Sequence, residues 1–139
     1  MIEITDFRDR LVLTMSAMAM GEDLCVALYG GDRPHIGAVA ISQPRPSLAD
    51  PAVGSATTSV VAVLGHKEDM LARQVSARLA AALGAVVSVT CGIHVDGATA
   101  ADIAAVGELA GKMTEDLIDE VLSGRNGGEP SGARGAYGR

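Results

Sequence analysis

Apolar and polar residues alternate with a period of two through most of the first sixty positions, which predicts strands. "IEIT" opens the pattern as a short strand. In "RLVLTMSAMAM", Leu11, Leu13 and Met15 share one face and Val12, Thr14 and Ser16 the other, though its Met/Ala end also suits a helix. "GED" turns the chain and "LCVALYG" returns as the second strand of a hairpin. "GGDRP" turns it again, with Gly30 and Gly31 able to take positive φ and Pro34 fixing its own. "HIGAVAIS" follows as a strand, then a loop over residues 44–55 whose core, "PRPSLADP", holds three prolines in eight residues. Each proline fixes φ and restrains the residue before it, so this loop is stiff. "ATTSVVAVLG" is a further strand with an apolar second half.

The period then changes to that of a helix. In "HKEDMLARQVSARLAAALG", Met70, Leu71, Val75, Leu79 and Leu83 form an apolar stripe that starts near His66 or Lys67 and stops at Gly84. "AVVSVTCGI" has the continuous apolar character of a buried strand. Thr99, with Asp102 three residues on, reads as an acidic variant of the capping box. It opens a second helix whose apolar face carries Ile103, Val106, Leu109, Met113, Leu117 and Val121. From 123 to 139 the chain is Gly-rich without apolar pattern, which predicts a disordered tail after a single domain over 1–122. The expected fold is α+β. It is a mixed, mainly antiparallel β-sheet made of a meander of about four strands and a strand–helix–strand crossover, with two helices on one face.

Composition narrows the function. The chain has 139 residues, enough for a real core, and 48% of them are hydrophobic. Only 2% are aromatic and Trp is absent, so no stacking platform for single-stranded nucleic acid is present. A net charge of −6 repels phosphate backbones, which argues against nucleic acid as a partner. No basic run suggests a membrane surface, and the first residues lack the pattern of a signal peptide. The longest uncharged stretch, residues 79–95, is interrupted by Gly84, Gly92 and His94 and is too short to span a membrane. A cytoplasmic protein is expected, with Cys25 and Cys91 as buried free thiols.

Candidate chemistry centres on three histidines, all beside glycines at segment ends: His35 in "PHIGA", His66 in "GHKED" and His94 in "GIHVDGAT". If the strand after His35 pairs antiparallel with the one ending at Gly65, and the crossover sets the strand ending near Ile93 parallel beside it, all three reach one sheet edge. Open sheets bind ligands where parallel strands end. Taken singly, each histidine reads as a solvated turn residue; together at one edge they could hold a divalent transition metal. No H-x-H or H-x₃-H spacing supports a metal, and Cys91-x-x-His94 lacks a second pair. The start of the first helix, with Gly65 and Lys67, is a natural anion site, unless Glu68 and Asp69 already satisfy that helix end. No nucleophile triad, G-x-G-x-x-G or Walker A motif is present, so no catalytic residue is assigned.

"PHIGAVAISQPRPSLADP", "SATTSVVAVLGHKEDMLARQVSARLA" and "VTCGIHVDGAT" together resemble the LpdD-like family, over about Leu24 to Leu117. This family consists of small proteins encoded with UbiD-type aromatic acid decarboxylases and described as prenylated-flavin chaperones. The resemblance implies a fold similar to proteasome assembly chaperones. It also implies a non-enzymatic factor that binds prenylated FMN and supports activation of a partner UbiD-type decarboxylase, with a flavin prenyltransferase as a further candidate partner. The cofactor-binding set carried over onto the matched motifs is His35, Arg45, Ser47, His66, Lys67, His94 and Asp96. Arg45 and Lys67 would meet the phosphate, and His35, His66 and His94 a metal or the polar edge of the flavin. The "PRPS" loop should lie at the far end of its strand from His35, so it folds back as a lid or reaches the site from the second subunit of a homodimer. An exposed sheet edge favours such a homodimer. Two other readings stand beside this one: a small metal-dependent enzyme using the three histidines, and a purely structural decarboxylase subunit.

Overall fold

A computed structural model describes residues 1–63 and 68–127. The period-two segments and the apolar run before His94 form six strands: β1 (Ile2–Arg8), β2 (Leu11–Met20), β3 (Asp23–Gly31), β4 (Ala38–Pro46), β5 (Gly54–Ala62) and β6 (Val87–His94). The helices are α1 (Asp69–Leu83) and α2 (Ala100–Gly127). They build one α+β unit with a single mixed sheet in the order β1-β2-β3-β6-β4-β5. Every neighbouring pair is antiparallel except β3 and β6.

The alternation sorts each strand onto two faces. Leu13 and Met15 of β2, Val26 and Leu28 of β3, Val87 and Val89 of β6, and Ala38 and Ala40 of β4 are all buried. Their registers align them in continuous rows across the sheet. On this face α1 packs over β4, β5 and β6, and α2 over β1 and β2. Leu79 of α1 and Met113 and Leu117 of α2 complete the core. Small residues on β4 let α1 approach closely, and Ser42 there donates to Ser76 of α1 at 2.8 Å inside the core.

Three expectations are corrected. The crossover does not set β6 beside β5. It carries β6 past β4 into the middle of the sheet, parallel to β3 and antiparallel to β4. Both of its neighbours present buried apolar rows, so the centre is where a strand this apolar gains most from burial. "GGDRPH" is therefore not a hairpin turn but a bridge over the end of β6. The backbone N–H of Asp32 donates to the carbonyl of His94 at 2.7 Å, and that of Gly37 to Cys91 at 2.9 Å. Second, Met70 and Ile103 stand exposed, and Ala72, Ser76, Ala110 and Thr114 take core positions instead. Both helices lie close to the sheet there, and short side chains fit where longer ones would not. Third, α2 continues through Gly127, so residues 123–127 are helical where a tail was expected. Arg125 holds that end by donating to the carbonyls of Leu83 at 2.9 Å and Glu22 at 3.1 Å. Residues 128–139 lie outside the described part of the chain.

The two cysteines are free. Cys91 points into the core and Cys25 to the opposite face of the sheet, so they cannot meet.

Candidate functional site

Because β6 runs antiparallel to β4, its end lies where β4 begins. Ala38 pairs with Cys91 and, on the other side, with Ala62. His35 and His94 therefore arrive at one sheet edge, by a pairing other than the one the sequence suggested. Val63 and Glu68 flank residues 64–67 and belong to the same edge. The N–H of Val63 donates to Gly37 at 2.8 Å, and Glu68 pairs with His35. His66 and Lys67, the remaining two candidates of the "GHKED" motif, lie outside the described residues.

His35 is gripped from two sides. Its Nδ1 lies 3.0 Å from the carbonyl oxygen of Arg33, and its Nε2 lies 2.8 Å from Oε1 of Glu68. Both partners of that ion pair are mostly buried, with side-chain exposures of 21% and 11%. Glu68 sits at the N-cap of α1, yet its side chain makes no capping hydrogen bond. The carboxylate instead lies above Gly37, where any Cβ would collide with it. Its charge, after the larger effect of burial, helps push the Cys91 thiol up to about 12. Glu68 is thus not spent on the helix end, as a first-turn acid would be. The usable sequence signal was Gly37, the residue of "PHIGA" that leaves room for a carboxylate.

His94 anchors a second, more exposed group. Its Nε2 lies 3.0 Å from Oδ1 of Asp96, and the Arg33 guanidinium donates to the same oxygen at 3.0 Å. The His94 contact first, then the charge of Arg33, holds the Asp96 carboxyl below its ordinary range. The backbone N–H of Asp96 donates to Asp32 at 2.7 Å, and Arg10 donates to the Asp96 carbonyl at 3.0 Å and to Asp102 at 2.9 Å. Asp102 also closes the predicted capping box, accepting from the Thr99 N–H while its own N–H donates to the Thr99 hydroxyl. Arg10, Asp32 and Arg33 escaped sequence reasoning because they sit in turns without a motif. Only folding brings them to the end of β6.

Backbone packing ties the two groups together. Gly31 has φ 74°, and a Cβ there would strike the backbone of His94. A Cβ at Gly92 would strike the carbonyl oxygen of His35. The bridge of residues 32–37 can lie flat on β6 only because these two positions lack side chains.

Arg45 and Ser47 stand at the opposite end of the sheet. Arg45 donates to Thr57 and to the Pro46 carbonyl, each at 3.0 Å, and Ser47 accepts from the N–H of Ala49 at 3.2 Å. By register, Arg45 lies roughly ten residues of strand, about 33 Å, from the level of His94. Within one chain it does not join the His35, His94 and Asp96 edge. Among the described residues no cluster of three or more His, Cys, Asp or Glu is placed to hold a metal ion. Both ring nitrogens of His35 already face oxygen acceptors, so a metal there would have to displace one of them.

A cleft of about 180 Å³ lies between α1 and α2, lined by Leu71, Arg78, Gly111 and Glu115 among others. It is smaller than the ~300 Å³ at which small-molecule sites begin, and none of the described histidines lines it.

The family model for the prenylated flavin chaperone LpdD-like domain matches residues 8–122. The chain belongs to this family. It is also 32% identical over 106 residues to Protein LpdD of Lactiplantibacillus plantarum, an alignment covering 75% of this chain and 70% of that protein. Membership makes it a chaperone, an accessory protein rather than an enzyme, in a family defined by its relation to a flavin. The matched region takes in both polar groups of the site and the whole sheet except most of β1. No helix among the described residues is long and apolar enough to cross a membrane.

Proposed function

We propose that this LpdD-like chaperone binds prenylated FMN at the edge formed by His35, His94 and Asp96, and that it matures the cofactor for a UbiD-type aromatic acid decarboxylase. The observation that carries this reading is the pairing of two polar groups, His35–Glu68 and Arg33–Asp96–His94, at one end of the sheet. Exposed apolar side chains adjoin them, Ile36 beside His35 and Val12 on the face that His94 occupies.

The donor set suits a flavin mononucleotide. Its phosphate needs a cation, and its pyrimidine ring and ribityl chain need mixed donors and acceptors. Arg33 is an accessible cation at this edge, with its side chain 73% exposed and its carboxylate partner Asp96 also at the surface. A phosphate can therefore take the place of Asp96 without uncovering a buried charge. With so few aromatic residues in the chain, the ring system and prenyl-derived carbons would rest on aliphatic side chains. Arg45 and Ser47 enter this reading only through a second chain. His66 and Lys67 remain part of it as residues of the matched "GHKED" motif. When bound, the prenylated flavin supplies the chemistry of the decarboxylase; this chain would hold, orient and shield it. The metal-enzyme alternative is not favoured by any contact described above.

The deciding experiment is to produce the decarboxylase with and without this protein, purify it free of the small chain, and measure rate per active site. A maturation factor acts before catalysis, so the gain should persist after its removal. Equal rates and equal active-cofactor content in both preparations would refute the proposal. A rate that collapses on stripping the small chain, and returns on adding it back without cofactor, would establish the structural-subunit reading instead.

A further inference from the structure

We propose that the sheet face left open by the helices is the surface on which a second copy of this chain stacks. Helices cover only one side. On the other, one row crosses five strands through Ser16, Ala27, Thr90, Val39 and Val61. The next row adds Met18 and Ile41 at matching levels. Apart from Glu3, which continues the first row onto the edge strand β1, neither row holds a charged side chain. Val39 is 39% exposed, Ile41 46% and Val61 73%, although all three lie within regular strands.

The size and charge pattern select the occupant. Six strands ~4.8 Å apart, each rising ~3.3 Å per residue over eight or so residues, less the end of β6 that residues 32–37 cover, present roughly 700 Å² in projection. That is about the area each partner contributes to a stable interface. Identical patches meeting about a two-fold axis fail when like charges oppose each other. Here the charged residues of this face, Glu3, Asp23 and Arg45, stand at its perimeter, so the same surface can meet itself. Medium and small side chains also suit the ~10 Å separation of stacked sheets. An uncovered patch of this kind would promote aggregation, and a second copy is the one partner present wherever the chain is. The sequence pointed to a homodimer through a sheet edge; the pattern of the folded sheet moves that contact to its face. The inference stands independently of flavin binding.

The test is the mass of the full chain in solution by sedimentation and light scattering over the micromolar range. The wild type should have twice the chain mass. Ile41→Glu should weaken self-association by about 100-fold, giving monomers with unchanged circular dichroism. Ser59→Lys, at an exposed polar position ending the Ile41 row, should do so more mildly and decides the matter if Ile41→Glu does not fold. Leu48→Glu, in the β4–β5 loop, should leave the dimer intact. A wild type that stays monomeric throughout, or a dimer indifferent to both face substitutions, overturns the proposal. A monomer whose Ile41→Glu form loses decarboxylase binding also overturns it and assigns the face to that partner. Flavin binding, measured separately on each variant, is a different readout and keeps the two proposals apart.

Discussion

Nε2 of His35 lies 2.8 Å from Oε1 of Glu68, and that carboxylate occupies the space above Gly37. One residue from the start of β4 and one from the start of α1 are thereby clipped together at the edge that also receives β6. Glu68→Gln keeps the shape and removes the charge. It should cost about 1–3 kcal/mol of stability, the range for a buried polar partner left poorly matched. Urea denaturation checks this, and an unchanged midpoint would show that the clip carries no stability.

Gly92→Ala should be more damaging, because its Cβ meets the backbone carbonyl of His35 rather than a movable side chain. A loss of about 3 kcal/mol is expected, with His35 displaced from Glu68. Denaturation together with the His35 ring resonances in NMR would reveal both effects.

Much of this edge could be read in advance and some could not. The strands were legible because a half-buried sheet imposes period two on Leu13, Met15, Val26 and Leu28. His35 and His94 were legible as segment ends. The position of β6 was not. An apolar strand shows that it is central, but nothing local in "AVVSVTCGI" specifies which two neighbours it separates. Glu68 was misleading for a related reason. An acid at a helix start has a ready local role, and only the tertiary approach of His35 and Gly37 gives it another.

Stability should fall in acid through identifiable carboxylates. Asp96 is held low by His94 and then Arg33, Asp102 by the Thr99 backbone and then Arg10, and Asp6 by Lys112. A carboxyl whose folded value is depressed stabilises the fold above its ordinary value and loses that contribution as pH falls through the folded value. The window therefore opens near 3.8 and extends below it. Asp96→Asn should flatten the decline in this window and leave the slope at neutral pH unchanged. Denaturation midpoints across the acid range test it.

The thiol of Cys91 works in the opposite direction. Burial first, and Glu68 second, raise it from 9.0 to about 12. Its contribution is complete below 9.0 and is lost as pH rises toward 12. In folded protein at mildly alkaline pH, Cys91 should resist a disulfide reagent and should react once denatured. Rapid modification of the folded Cys25→Ser variant would show that the core opens at Cys91.

The two arginines divide the questions of where the flavin sits and how many chains hold it. Arg33 belongs to the His94 edge, and Arg45 lies at the far end of the same sheet. If the phosphate takes the Arg33 guanidinium from Asp96, Arg33→Ala should weaken prenylated FMN binding by roughly 10- to 100-fold, the loss of one charge-assisted contact. The effect should shrink at high salt, since both groups are exposed. Arg45→Ala should leave affinity unchanged if each chain binds alone. If it weakens binding in the wild-type background but not in the monomeric Ile41→Glu background, the far arginine reaches the flavin from the second copy. If Arg45→Ala matters equally in both backgrounds and Arg33→Ala does not, the phosphate belongs to the "PRPS" end, and the histidine edge has another task.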